Sequence, residues 1–127
     1  QWRQIKDIEY TNVIGVGDIA ATTHDLNVLI TALFEHKLLR TETVEQMQPR
    51  PGGSGWGRGL AEFTYDENHF FGHGGDVLGS HARVIYNPAD DVAIAYATNG
   101  ERIPTNEFLR TIVEIVYGRN VAPPAFK

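Results

Sequence analysis

Apolar side chains recur at helical spacing over residues 22–36, where Leu26, Leu29, Ile30, Leu33 and Phe34 form one stripe behind a capping-box-like pair, Thr22 and Asp25. This pattern predicts a core-facing helix. A shorter helix is predicted near 41–47, opened by Thr41 and Glu42 and stopped by Pro49 and Pro51, with Met47 packing into the core. Residues 50–58, Arg-Pro-Gly-Gly-Ser-Gly-Trp-Gly-Arg, are a loop by composition. Trp56 within it is expected to be buried, since aromatic rings usually serve packing first. The pattern then becomes strand-like. Strands are predicted at 59–65, with Leu60, Phe63 and Tyr65 as the larger side chains, and at 69–75, 80–86 and 92–98, the last two joined by the turn Asn87-Pro88-Ala89-Asp90-Asp91. Connections this short force antiparallel neighbours, because a parallel return needs a crossover of about a dozen residues. Pro104 opens a final helix over 104–117, whose Phe108, Leu109, Ile112, Val113, Ile115 and Val116 make a broad apolar face expected to lie on the sheet, with Gly118 ending it. Residues 1–14 read as an extended lead-in, and Pro123-Pro124 begins a loose tail. The fold class predicted is α+β: an antiparallel sheet of about four strands with packed helices.

Composition narrows the function classes. A chain of 127 residues fits one domain and buries roughly two thirds of its unfolded surface. No apolar run approaches the ~20 residues that span a bilayer, so no transmembrane helix or signal peptide is read. Sixteen acidic against eleven basic residues leave a net charge of −5, which argues against a nucleic-acid or anionic-membrane partner. Without cysteine there are no disulfides, thiol nucleophiles or zinc-thiolate sites. Five histidines invite a metal reading, but there is no H-E-x-x-H, and His69 and His73 stand about 13 Å apart along a strand. His24 and His36 are expected in solvent beside the first helix. Gly15-Val16-Gly17-Asp18-Ile19-Ala20 imitates a dinucleotide fingerprint, but only Val13-Ile14 precede it as strand and no second β-α-β unit follows. Neither a metal nor a cofactor is expected.

The candidate chemistry lies in His69-Phe70-Phe71-Gly72-His73-Gly74-Gly75-Asp76-Val77-Leu78-Gly79, which sets one imidazole among glycines on a strand-like segment. A glycine edge lets a substrate backbone approach closely, and its N–H groups can bind a peptide or a developing oxyanion. The structural alternative is a bulged hairpin with a hydrogen-bonded histidine.

In sequence order, the Gly15–Leu26 segment, the Gly-Trp-Gly stretch at 52–60, His73-Gly74-Gly75, Ser80–Pro88 and Val92–Asn99 resemble the C-terminal part of the penicillin-recognising serine hydrolases. The nearest resemblance is to the class C β-lactamase and D-alanyl-D-alanine carboxypeptidase branch, over roughly residues 15–118. In that family a Lys/His-Thr/Ser/Gly-Gly motif lines the active site, so the resemblance implies that role for His73, Gly74 and Gly75. It implies His73 for proton transfer or for holding a substrate carboxylate, Gly74 and Gly75 for substrate binding by strand-like pairing, and the Asp76 N–H as an oxyanion donor. The Asp76 carboxylate would oppose such an oxyanion unless turned away. His in the place of Lys leans slightly toward a peptidase- or esterase-like member.

The family's Ser-x-x-Lys is missing. Ser54 and Ser80 are followed three residues on by Gly57 and Arg83, and a guanidinium cannot act as a base. Tyr10-Thr11-Asn12 matches the family's Tyr-x-Asn, but it stands only two residues before Gly15, where the family has a further helix between. The expectation is that 15–118 is the C-terminal portion of a serine hydrolase domain, between a lead-in at 1–14 and a tail at 119–127, and is silent alone. The nucleophile would come from a missing N-terminal region of the same protein, the substrate would be a small-molecule or peptide-like acyl compound, and the resemblance implies a periplasmic, secreted or membrane-anchored protein. From another class comes a non-catalytic ligand-binding or interaction module of the same fold.

Overall fold

Sequence alternation over 61–98 produces four strands, each hydrogen-bonded to the next: β1 (Ala61–Tyr65), β2 (Asn68–Val77), β3 (Ser80–Asn87) and β4 (Val92–Thr98). The computed structural model describes residues 11, 15–17, 19–77, 79–100 and 102–125. Tyr10, Asn12 and most of the predicted lead-in at 1–14 therefore lie outside the described residues. All three pairings are antiparallel, as the short connections require. With α1 (Thr23–Phe34), α2 (Thr41–Met47) and α3 (Thr105–Val116), the arrangement is α+β.

The period of two along each strand gives the sheet two apolar faces, and a helix covers each. On one face Phe70, Ile85, Ile94 and Tyr96 pack with Leu109 and Val113 of α3. On the other, Tyr86 packs with Leu60 and Ile30 of α1, flanked by Leu33, Phe34, Met47, Val84 and Ala93. Ile85 and Tyr86 are neighbours in β3, yet they serve opposite cores.

The element ends follow local chemistry. Thr22 caps α1: its Oγ1 accepts the Asp25 N–H at 3.1 Å, and the Asp25 carboxylate accepts the Thr22 N–H at 3.1 Å. Bonds from the Thr22 hydroxyl and backbone hold the Asp25 carboxyl below its ordinary pKa. Leu29, counted in the sequence stripe, is 54% exposed, because it lies one helical step (about 100°) round from Ile30, which points inward. The chain turns from α2 at Gln48, extended at ψ 154°, immediately before Pro49. Strand β1 starts at Ala61 and not at 59, since Gly59 sits at φ +96° and the Gly57 N–H closes a turn onto the Leu60 carbonyl at 2.7 Å. The β3–β4 turn is locked by buried Asn87, which donates from Nδ2 to Asp90 and to the Tyr117 hydroxyl, both at 2.8 Å, and accepts the Ala89 N–H at 3.0 Å. Tyr117 thereby ties the end of α3 to the hairpin.

Candidate functional site

Strand β1 begins at Ala61 opposite Gly72, so β2 runs on through His73–Val77 with β3 on one side and no strand on the other among the described residues. Along this stretch alternate residues turn their N–H and C=O groups to the open edge. The sequence candidates His73, Gly74, Gly75 and Asp76 all fall here.

The glycines of this stretch meet three different surroundings. A Cβ on Gly72 would stand 1.9 Å from the Val84 carbonyl oxygen, so the close approach of β3 requires glycine there. A Cβ on Gly74 would stand 2.1 Å from Arg83 Cδ, whereas one on Gly75 would enter open space. Gly75 is therefore the glycine whose bareness leaves room for something outside the described chain.

His73 and Asp76 do not meet. Three residues apart on a strand, they project from opposite faces. Phe71, on the His73 side, has its ring 6.1 Å from Phe34 of α1, which places His73 and Gly75 on the α1 face. His73 is exposed there, its ring 5.5 Å from that of Trp56 in an edge-on arrangement at 74°. Trp56 itself is 58% exposed, contrary to the burial expected from sequence. It is carried by the glycine-rich loop outside β1, where a single bridge to Ala61 holds it and neither apolar core reaches. The same ring lines an open groove of about 700 Å³ between α2 and the loop, along with Glu42, Glu45, Arg50, Ser54 and Arg58.

On the α3 face the Asp76 carboxylate lies between two residues of β3. Its Oδ1 is 2.5 Å from His81 Nδ1, and its Oδ2 accepts from Arg83 Nη2 at 2.9 Å. Arg83, then His81, holds the Asp76 carboxyl below the usual carboxylate range, and Asp76 in turn raises the guanidinium. Arg83 Nη1 also donates to the carbonyls of Gly75 at 3.0 Å and Ala82 at 2.9 Å. The buried His81 Nε2 has no hydrogen-bond partner among the described residues. Sequence reading passed over this cluster, although the spacing held a signal. Val77 stands opposite Ser80, and counting back from that pair sets Asp76 opposite His81 and Gly74 opposite Arg83.

The remaining candidates lie apart from this edge. His69 pairs with Glu62 at 2.8 Å; His24 and His36 are exposed at the two ends of α1. Ser54 is exposed in the loop, and Ser80 opens β3, so neither occupies a helix start.

A strand with an open edge, an accessible imidazole on one face and a carboxylate fixed on the other is able to pair with an extended substrate and move a proton beside it. Comparison with known proteins matches residues 2–116 to the model of the family described as Beta-lactamase. No curated protein and no solved structure matches.

Proposed function

Because the chain belongs to the β-lactamase family, we propose that it forms one wall of a serine-hydrolase acyl-transfer cleft, on the side of the class C β-lactamase and D-alanyl-D-alanine carboxypeptidase branch. The observation that carries this reading is the open edge of β2 beyond Gly72, with His73 and the unobstructed Gly75 on one face of it. In this reading a serine hydroxyl from a Ser-x-x-Lys motif elsewhere in the protein attacks the substrate carbonyl, and water later hydrolyses the acyl-enzyme. His73 moves a proton or holds a substrate carboxylate. The backbone of Gly74, Gly75 and Asp76 pairs with the substrate, and the Asp76 N–H donates to the oxyanion.

No Ser-x-x-Lys occurs in these 127 residues, so the chain alone is proposed to be silent toward acylating reagents. A second reading, a non-catalytic binding module, is favoured by the same lack. Treating the 127-residue chain, and a longer form of the protein, with a β-lactam and with a fluorophosphonate and weighing each intact separates the two. A covalent adduct on the longer form alone supports the hydrolase. No adduct on either supports the module, and an adduct at Ser54 or Ser80 overturns the assignment of an external nucleophile.

A further inference from the structure

We infer that Arg83 is the positioning residue of the His73–Asp76 edge, pinning the Asp76 carboxylate against β3 on the α3 face, where the strand already projects it, and keeping it off the open edge from which a substrate enters. The inference rests on the acyl-transfer reading for its purpose, but its geometry stands by itself.

Arg83 is nearly buried, with 11% of its side chain exposed, and it donates to three acceptors: the Gly75 carbonyl, the Ala82 carbonyl and Asp76 Oδ2. A guanidinium serves this task well because it is planar, permanently charged and carries five fixed donors, so one group can hold two carbonyls and a carboxylate together. Its path lies over Gly74, where any Cβ would strike Cδ, Nε and Nη1 at 2.1, 2.6 and 2.9 Å. Gly74 and Arg83 are thus halves of one device: the glycine leaves the channel that the arginine crosses. His81 completes the hold from the opposite oxygen of Asp76.

The chemical consequence concerns charge. An aspartate following two glycines on an oxyanion-binding edge brings a negative side chain to the position where negative charge must develop. Anchored to Arg83 and His81 on the far face, the carboxylate is partly neutralised and turned away, and the Asp76 amide keeps its donor for the substrate.

The test uses the 127-residue chain and no acyl chemistry, so it succeeds or fails separately from the labelling experiment. Carbon-13 NMR of the Asp76 carboxyl and hydrogen exchange of the 74–76 amides are measured for the parent chain, Arg83→Gln, Arg83→Lys and Gly74→Ala, with amide shift dispersion reporting that each folds. In Arg83→Gln the Asp76 titration moves up and any of the three amides that is protected exchanges about tenfold faster, the scale of one lost charged hydrogen bond. Arg83→Lys restores part of both changes. Gly74→Ala reproduces the Arg83→Gln titration in a folded chain, and combining the two adds little, because both remove the same contact. An Asp76 titration unmoved by Arg83→Gln, or by Gly74→Ala, would overturn the inference. If Arg83→Gln fails to fold, the Gly74→Ala and Arg83→Lys arms decide it.

Discussion

Gly72, Gly74 and Gly75 occupy one strand within four residues, yet a methyl group added to each meets a carbonyl oxygen, a side chain and nothing at all. Gly72→Ala must push β3 back, and we expect a loss of about 1–3 kcal/mol in urea unfolding. Gly75→Ala should change stability by no more than ~0.5 kcal/mol while narrowing the approach to the open edge, a contrast that the same unfolding measurement checks. Asp76 supplies a pH prediction. Its carboxyl has a lowered pKa in the folded chain, so the stability it contributes is fully present above the ordinary carboxylate value of about 3.9 and is lost as pH falls through the lowered one. Asp76→Asn should therefore lose less stability between neutral pH and strong acid than the parent, as thermal melts across that range will show. At this scale the sequence was half legible. The glycines and His73 stood out by residue type, whereas the exposure of Trp56 depends on where a loop carries it, and the Arg83 hold depends on a cross-strand register.

Helices and strands were far more legible, because burial imposes a period that survives in the residue order. Strand β4 and helix α2 fall where the alternation and the prolines put them, and the others differ only at their ends. The departures have local causes, such as the positive φ of Gly59, or the pairing of β2 with β3 down to Val77 and Ser80. Leu29 shows the limit of a stripe drawn by eye: one helical step separates a core position from a solvent one. The two long helices should accordingly respond differently to truncation. Leu109→Ala on α3 removes a buried side chain and should cost about 2–5 kcal/mol, whereas Leu29→Ala on α1 should cost at most ~0.5 kcal/mol. Denaturant midpoints of the two variants, with unchanged slopes, would establish the difference.

At the scale of the molecule, the sheet is a meander with a core on each face, and α3 seals one of them through Leu109 and Val113. A chain ending at Pro104 should expose Phe70, Ile85, Ile94 and Tyr96, bind a hydrophobic dye and lose near-ultraviolet circular dichroism while keeping strand signal. A dye-silent truncated chain would mean that α3 is dispensable to that core. Fold class was readable from the sequence because every strand pairs with its neighbour in the chain, whereas the division of the core into two faces required the register to be known. Neighbour-only pairing also sets a timetable for synthesis. As the polypeptide leaves the ribosome, each hairpin can zip onto the one before it with little entropy lost to loop closure. The segment that becomes α3 emerges after all four strands, so one side of the nascent sheet stays wet until the Tyr117 hydroxyl reaches Asn87 and latches the last helix down.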